Sequence, residues 1–191
     1  MIDFNRKVIL ASASPRRQEL IKLIFENVEI LPAECDETLP DGICVREAVE
    51  YLSKIKNEAS SELTAKENLV ISADTVVAVE NEILGKPADK EDARRMITLL
   101  SGKVHQVYTG VTLSLNGKTT TFSEKTDVEF YHLTSEEIEE YISRSEPYDK
   151  AGSHGIQGKA GLLVKRINGD YYNVVGFPIA RLKREIEEFK I

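Results

Sequence analysis

The chain has 191 residues, 41% of them hydrophobic and 30% charged, a composition that excludes intrinsic disorder and fits one folding unit with a sizeable core. Its formal net charge of -7 argues against any broad grip on nucleic acid, which needs clustered Lys and Arg, but leaves room for a small anion in a local basic pocket. Only Cys35 and Cys44 carry thiols, with neither a disulfide framework nor a zinc motif, and the apolar run Val8 to Ala11 is too short for a signal peptide or membrane span, so a reducing, cytoplasmic compartment without a membrane partner is expected.

In chain order, Val8 to Ala11 reads as a buried strand. Ser14 and Pro15 then carry the chemistry of a helix start, and the helix is expected to run to about Phe25 with Leu20, Leu23 and Ile24 on one side. A strand over Val28 to Leu31 leads to an acidic loop, Glu34 to Glu37. A helix from about Val45 to Ala59 follows, with Val45, Val49 and Leu52 as its inner stripe; Lys56, four residues beyond Leu52, continues that stripe, whereas Lys54 points away.

Val70 to Val79 is an apolar strand interrupted by Asp74 and Thr75, turned at Glu80 and Asn81 into Glu82 to Leu84. Beyond Gly85-Lys86-Pro87 a helix over Lys90 to Leu100 stops at Ser101-Gly102. Val104 to Leu115 and Thr119 to Phe130 alternate and flank Asn116-Gly117, a hairpin turn. Thr134 to Glu137 forms a capping box for a helix through Ile142, a Gly-rich loop spans Pro147 to Gly158, Leu162 to Ile167 and Tyr171 to Val175 read as closing strands, and a helix covers Ile179 to Phe189. Helices alternating with strands, with hairpins between, predict an α/β fold with a mixed, twisted sheet flanked by helices.

Several positions suggest chemistry. Ser12, Ser14, Arg16 and Arg17 gather hydroxyls and guanidinium groups at a helix start that already favours anions, although a capped helix with two solvated arginines would look the same. Asp74, between Val70-Ile71 and Val76-Val77, must emerge at a site or carry a desolvation cost; it could hold a divalent metal or polarise a water, with the Thr75 hydroxyl beside it, and the alternative is a strand-end Asp that caps or pairs. Glu34, Asp36 and Glu37 could complete a hard-metal oxygen shell or be a solvated acidic loop. Lys56 and Lys86 are candidates to neutralise phosphate, and Gln157 could read a base edge because its amide both donates and accepts. His105, His132 and His154 have no metal-binding spacing, Cys35 and Cys44 read as small buried or half-buried residues, and none of the five receives a catalytic role.

Leu10 to Arg17, Ser72 to Val77, Gly85-Lys86-Pro87, Leu100-Ser101-Gly102 with His105, Asp149 to Gly152, Gly155 to Gly158 and the closing Gly169 to Pro178 together resemble the Maf family, in order and over nearly the whole chain. The resemblance implies a single Maf-like domain over residues 1–191, two lobes around a central cleft as in ITPase-like folds, often as a homodimer. It also implies a nucleoside triphosphate pyrophosphatase dependent on a divalent cation, Mg²⁺ or Mn²⁺. The segments Asp149 to Gly152 and Gly155 to Gly158 resemble the branch that prefers dTTP and UTP and accepts modified pyrimidine triphosphates.

By that resemblance Asp74 matches the catalytic proton acceptor, Arg16, Thr75 and Gln157 match positions that set substrate preference, and Ser12, Glu37, Lys56 and Lys86 match positions for phosphate or metal, with Asp74 and Glu37 as the metal pair and Arg16 also toward phosphate. Ser153-His154 departs from the usual Ala-Tyr, which bears on base preference rather than on hydrolysis. A rival class is a nucleotide-binding regulator of septum formation, which would need no catalytic carboxylate.

Overall fold

A computed structural model describes residues 6–80 and 82–189; the charged start up to Asn5 and the Asn81 half of the expected turn lie outside the described residues. Among the described residues seven strands form one mixed sheet: β1 (Val8–Leu10), β2 (Glu29–Ile30), β3 (Leu69–Val79), β4 (Glu82–Leu84), β5 (Val104–Leu115), β6 (Lys118–Phe130) and β7 (Val164–Asn168), in the order β2-β1-β3-β5-β6-β7 with β4 on β3. β1 runs parallel to both β2 and β3, while β3–β4 and β6–β7 are antiparallel. The helices are α1 (Pro15–Ile21), α2 (Val45–Ser61), α3 (Lys90–Leu100), α4 (Ser135–Ile142), α5 (Tyr171–Val175) and α6 (Ile179–Phe189). The α/β class and mixed sheet expected from the alternation of elements are those observed, and Asn116 and Gly117 have φ of 52° and 78°, the left-handed pair that a tight hairpin needs.

The chain divides into two compact units. The first takes Met1–Asp74, Thr109–Glu124 and Gly176–Ile191; the second takes Thr75–Tyr108 and Lys125–Val175. In the first, Ile9, Ala11 and Val70 form a buried apolar cluster, with Leu31 against it. In the second, residues from β3, α3, β5, β6 and α4, among them Val77, Ile97, Leu100, Phe130 and Ile142, form a larger apolar core.

The first unit is distinctive for how α2 is seated. A Cβ on Gly110 of β5 would lie 2.1 Å from the Val49 carbonyl oxygen, so only glycine lets the helix backbone come this close to the strand. At that separation short polar side chains reach across. Ser53 Oγ lies 3.0 Å from Thr112 Oγ1, and Asn57 Nδ2 donates to the carbonyls of Val70 and Thr112, each at 3.1 Å. Ser60 donates to the Leu31 carbonyl at 2.9 Å, and Ser72 of β3 donates back to the Ser53 carbonyl at 2.6 Å. The buried stripe thus begins apolar at Ala48, Val49 and Leu52 and becomes a hydrogen-bonded polar ladder at Ser53, Asn57 and Ser60. Lys56 lies along this ladder.

Four expectations are corrected. Residues 171–175 are helical, not a strand, because Asn173 is buried and its amide donates to Val107 O at 3.0 Å and Thr126 Oγ1 at 3.1 Å, while the Asp170 carboxylate accepts the Tyr172 N–H at 2.8 Å as the helix starts. These bonds override the strand preference of Tyr and Val. Helix α1 stops at Ile21 and continues as i to i+3 turns, Leu23 N to Leu20 O and Ile24 N to Ile21 O, which leaves Leu23 exposed. The last strand begins at Val164, since Leu162 ends a 3-10 turn. Cys44, expected to be at least half-buried, is exposed at the start of α2, where its N–H donates to Glu47 at 3.4 Å.

Candidate active site

In the parallel pairing of β1 with β3, Leu10 lies opposite Ile71. Ser12 follows the end of β1, and on the neighbouring strand Asp74 lies midway along β3, where the first unit's part of that strand stops. Along β3, Ser72 and Asp74 share a face because side chains alternate. That face meets α2: Ser72 bonds to the Ser53 carbonyl, and one helical turn onward Lys56 forms an ion pair with Asp74.

Lys56 also reaches Glu37, in the acidic loop after β2, at 2.9 Å. The Lys56 and Asp74 side chains are only 18% and 14% exposed, against 55% for Glu37. Burial pulls the Lys56 pKa down, but Asp74 and Glu37 outweigh it, and the net shift is upward, so Lys56 is an ammonium at neutral pH. Of the three acidic-loop carboxylates weighed from sequence, Glu37 is the one that joins Lys56. Asp36 instead accepts the Thr38 N–H at 2.9 Å, and hydrogen bonding from the Thr38 side chain, then from that N–H, lowers its pKa.

The start of α1 supplies a second part of the same unit. The buried Ser12 hydroxyl accepts the Ser14 N–H at 3.3 Å and an Arg17 guanidinium N–H at 3.4 Å, and Arg17 Nε donates to the Gly176 carbonyl at 2.8 Å. Burial lowers the Arg17 pKa, with the Asp74 charge opposing that shift. Arg17, weighed from sequence only as a companion of Arg16, is thus tied into the fold beside Ser12, while Arg16 is half-buried next to it. Cys35 feels the same charges: burial and then Glu37 raise its pKa and keep the thiol protonated.

Ser12, Arg16, Glu37, Lys56 and Asp74 all belong to the first unit; Thr75, Lys86 and Gln157 belong to the second. Thr75 is half-buried on β3, Lys86 is exposed beyond β4, and Gln157 is exposed just before a 3-10 turn over Gly158–Leu162. The residues present suit a hard divalent cation with few protein ligands. Asp74 and Glu37 converge on one ammonium, and two carboxylates facing one point are oxygen donors of the kind such ions take.

A family model described as Maf-like protein matches residues 7–189. The chain belongs to the Maf family. Relatives of this Maf-family chain include the dTTP/UTP pyrophosphatase of Bacillus cereus, 49% identical over 186 residues with 97% of each chain covered, and that of Bacillus anthracis, with the same identity and coverage. Among solved structures, the Staphylococcus aureus Ham1 protein has a TM-score of 0.56 at 15% identity, covering 96% of the Maf-family chain and 99% of its own. A HAM1 protein from Coxiella burnetii has a TM-score of 0.53 at 11% identity with the same coverage. At these identities the likeness is one of fold.

The departure at Ser153-His154 faces inward in this Maf chain. Ser153 lies 3.3 Å from Met96 Sδ, and His154 packs edge-on against His105 and Phe130, with ring centroids 4.6 and 4.9 Å away. Both residues are buried in the core of the second unit. No sequence spacing marked this cluster, because it is assembled from β5, β6 and the Gly-rich segment.

Proposed function

We propose that this Maf-family chain hydrolyses dTTP, UTP and modified pyrimidine nucleoside triphosphates to the monophosphate and pyrophosphate. The observation that carries the proposal is the Lys56 ammonium held between Asp74 of β3 and Glu37 of the acidic loop, with Ser12 and the first turn of α1 in the same unit. The names of the 49% identical relatives supply the substrate.

In the proposed mechanism Asp74 accepts the proton of the water that attacks the α-phosphorus. Phosphate oxygens compete for the Lys56 ammonium, and as its hydrogen bonds pass to them the Asp74 carboxylate is released to act as base. Ser12 and the first-turn N–H groups of α1, with Arg16, Lys56 and Lys86, stabilise charge growing on the departing pyrophosphate. Asp74 and Glu37 would hold a divalent cation, Mg²⁺ or Mn²⁺, which when bound supplies Lewis-acid polarisation of phosphate oxygens. Arg16, Thr75 and Gln157 set substrate preference. Residues 1–191 serve as one Maf-like domain, a reading supported by the family match running through both units.

The acidic net charge supports the absence of a nucleic-acid partner, two free cysteines support a reducing, cytoplasmic setting, and a homodimer follows from the family resemblance. Among the described residues no helix is long and apolar enough to cross a membrane. Pyrophosphate release from dTTP, UTP, CTP, 7-methyl-GTP and dITP, with Mg²⁺, Mn²⁺ or chelator, tests the proposal: metal-dependent release chiefly from dTTP and UTP is expected. Release chiefly from purine triphosphates would overturn the substrate, and release from none would overturn the activity.

A further inference from the structure

The Gly-rich segment ahead of Gln157 is pinned by side chains at several points. Tyr148 Oη donates to the Ile142 carbonyl at 2.8 Å, Tyr141 Oη to the Ser153 carbonyl at 3.1 Å, and Lys150 Nζ to both the Glu146 carbonyl and Asp149 Oδ1 at 2.6 Å. At the Gln157 end the support changes character. The Glu146 carboxylate reaches across and accepts two backbone N–H groups, that of Lys159 at Oε2, 3.2 Å, and that of Ala160 at Oε1, 3.1 Å.

These donors belong to the first turn of the Gly158–Leu162 3-10 helix, where backbone N–H groups have no partner within the helix, and a carboxylate is the acceptor best matched to them. Among the described residues no other side chain bonds to the backbone of 156–160. Gly158 is shaped around the same group: its φ is +64°, and a Cβ there would lie 3.1 Å from Glu146 Oε1. Glu146 is itself fixed, since its carbonyl is held by Lys150, whose stem packs against Gly155. The carboxylate therefore acts as an external cap from thirteen and fourteen residues upstream of the N–H groups it accepts, setting where the chain leaves Gln157, the N-cap residue of that turn.

We propose that Glu146 is a positioning residue for base selection, holding the backbone that presents Gln157; the inference rests on the reading of Gln157 as a substrate-preference residue. A side-chain amide discriminates bases only if its donor and acceptor are aimed, so loosening the backbone by even a fraction of an ångström blurs the choice before it abolishes binding. Glu146 touches no substrate in this account. Its loss should appear in KM and in discrimination, with kcat on the favoured substrate least affected.

The test compares wild type with Glu146→Ala, Glu146→Gln and Gln157→Ala, using kcat/KM for UTP against CTP together with amide hydrogen exchange over residues 157–161. Glu146→Ala is expected to speed exchange of the Lys159 and Ala160 amides at least tenfold and to cut the UTP preference about tenfold, mainly through KM. Glu146→Gln, which keeps one acceptor oxygen and the shape, should fall between. Gln157→Ala should cut the preference with exchange unchanged. Unchanged exchange in Glu146→Ala, or a preference that falls in Gln157→Ala but not in Glu146→Ala, overturns the inference. A preference unchanged in Gln157→Ala overturns the reading of Gln157 and the base-selection role with it, while the exchange result still decides whether Glu146 holds this backbone.

Discussion

Lys56 in the first unit and the His105–His154 pair in the second are ionisable side chains buried in opposite ways. In the first, Lys56 is 18% exposed and stays charged because Asp74 and Glu37 more than offset the cost of burial. In the second, His105 and His154 are buried against each other and Phe130, and among the described residues His105 Nδ1 and Nε2 and His154 Nε2 have no hydrogen-bond partner; burial drives their pKa values down to about 2 and about 4 and keeps both rings neutral. The Lys56 cluster holds charge in place and the histidine pair excludes it, although the second unit also keeps a charge at depth where a partner meets it, as Lys150, 13% exposed, does with Asp149. Charge at depth survives where counter-charges converge, and that convergence is the basis for proposing the first unit as the site of phosphate chemistry.

Acid should expose the contrast most strongly. The folded pKa values of both histidines lie below their ordinary 6.5, so the unfolded chain takes up protons first; stability is complete above about pH 6.5 and is lost as pH falls toward 4 and on toward 2. His154 alone accounts for about 3 kcal/mol of that loss by pH 4, at 1.36 kcal/mol per unit of pKa. Urea unfolding from pH 7 to 4 would show it, and a His105→Phe, His154→Phe double variant should flatten the profile. An equal acid loss in the double variant would locate the sensitivity elsewhere. The Lys56 shift has the opposite sign in pH: its stabilisation holds below the ordinary lysine pKa and is lost only as strongly alkaline pH passes the raised one.

Removing the ammonium sharpens the same comparison from the other side. Lys56→Met leaves Asp74 and Glu37 without it, and since the pair is partly solvated the cost is expected at about 1–3 kcal/mol rather than the full penalty of a buried pair. Denaturant midpoints at pH 7 would measure it, and a stability gain would mean that Lys56 is not satisfied as described. Gly110→Ala should cost a similar or smaller amount, about 1–3 kcal/mol, by pushing α2 off β5 at Val49. Its activity should fall further than its stability, because Lys56 moves with the helix.

Much of the first unit's ion-paired cluster is legible in the chain. Asp74 stood out because a carboxylate among valines and isoleucines needs a reason, and Lys56 because it lies one helical turn past Leu52 on the stripe that packs inward. The choice of Glu37 over Glu34 and Asp36 was not legible from spacing, since all three share one irregular loop and only the fold decides which reaches Lys56. Arg17 was underweighted for a similar reason: its anchor, the Gly176 carbonyl, lies 159 positions away. In the second unit the Tyr171–Val175 helix and the His105–His154 pair depend on partners brought by distant strands, such as Val107 and Phe130, and local propensity misreads the first and is silent on the second.

The central claim is that the carboxylate held by Lys56 is the proton acceptor for triphosphate hydrolysis. The most direct test is single-turnover pyrophosphate release from dTTP and UTP by wild type and Asp74→Asn, with thermal unfolding recorded on both proteins. The account predicts a folded Asp74→Asn protein that still binds nucleotide and releases pyrophosphate about 100- to 10,000-fold more slowly, the range a positioned general base supplies. Near-normal release from a folded Asp74→Asn protein would contradict it and assign the proton to another group.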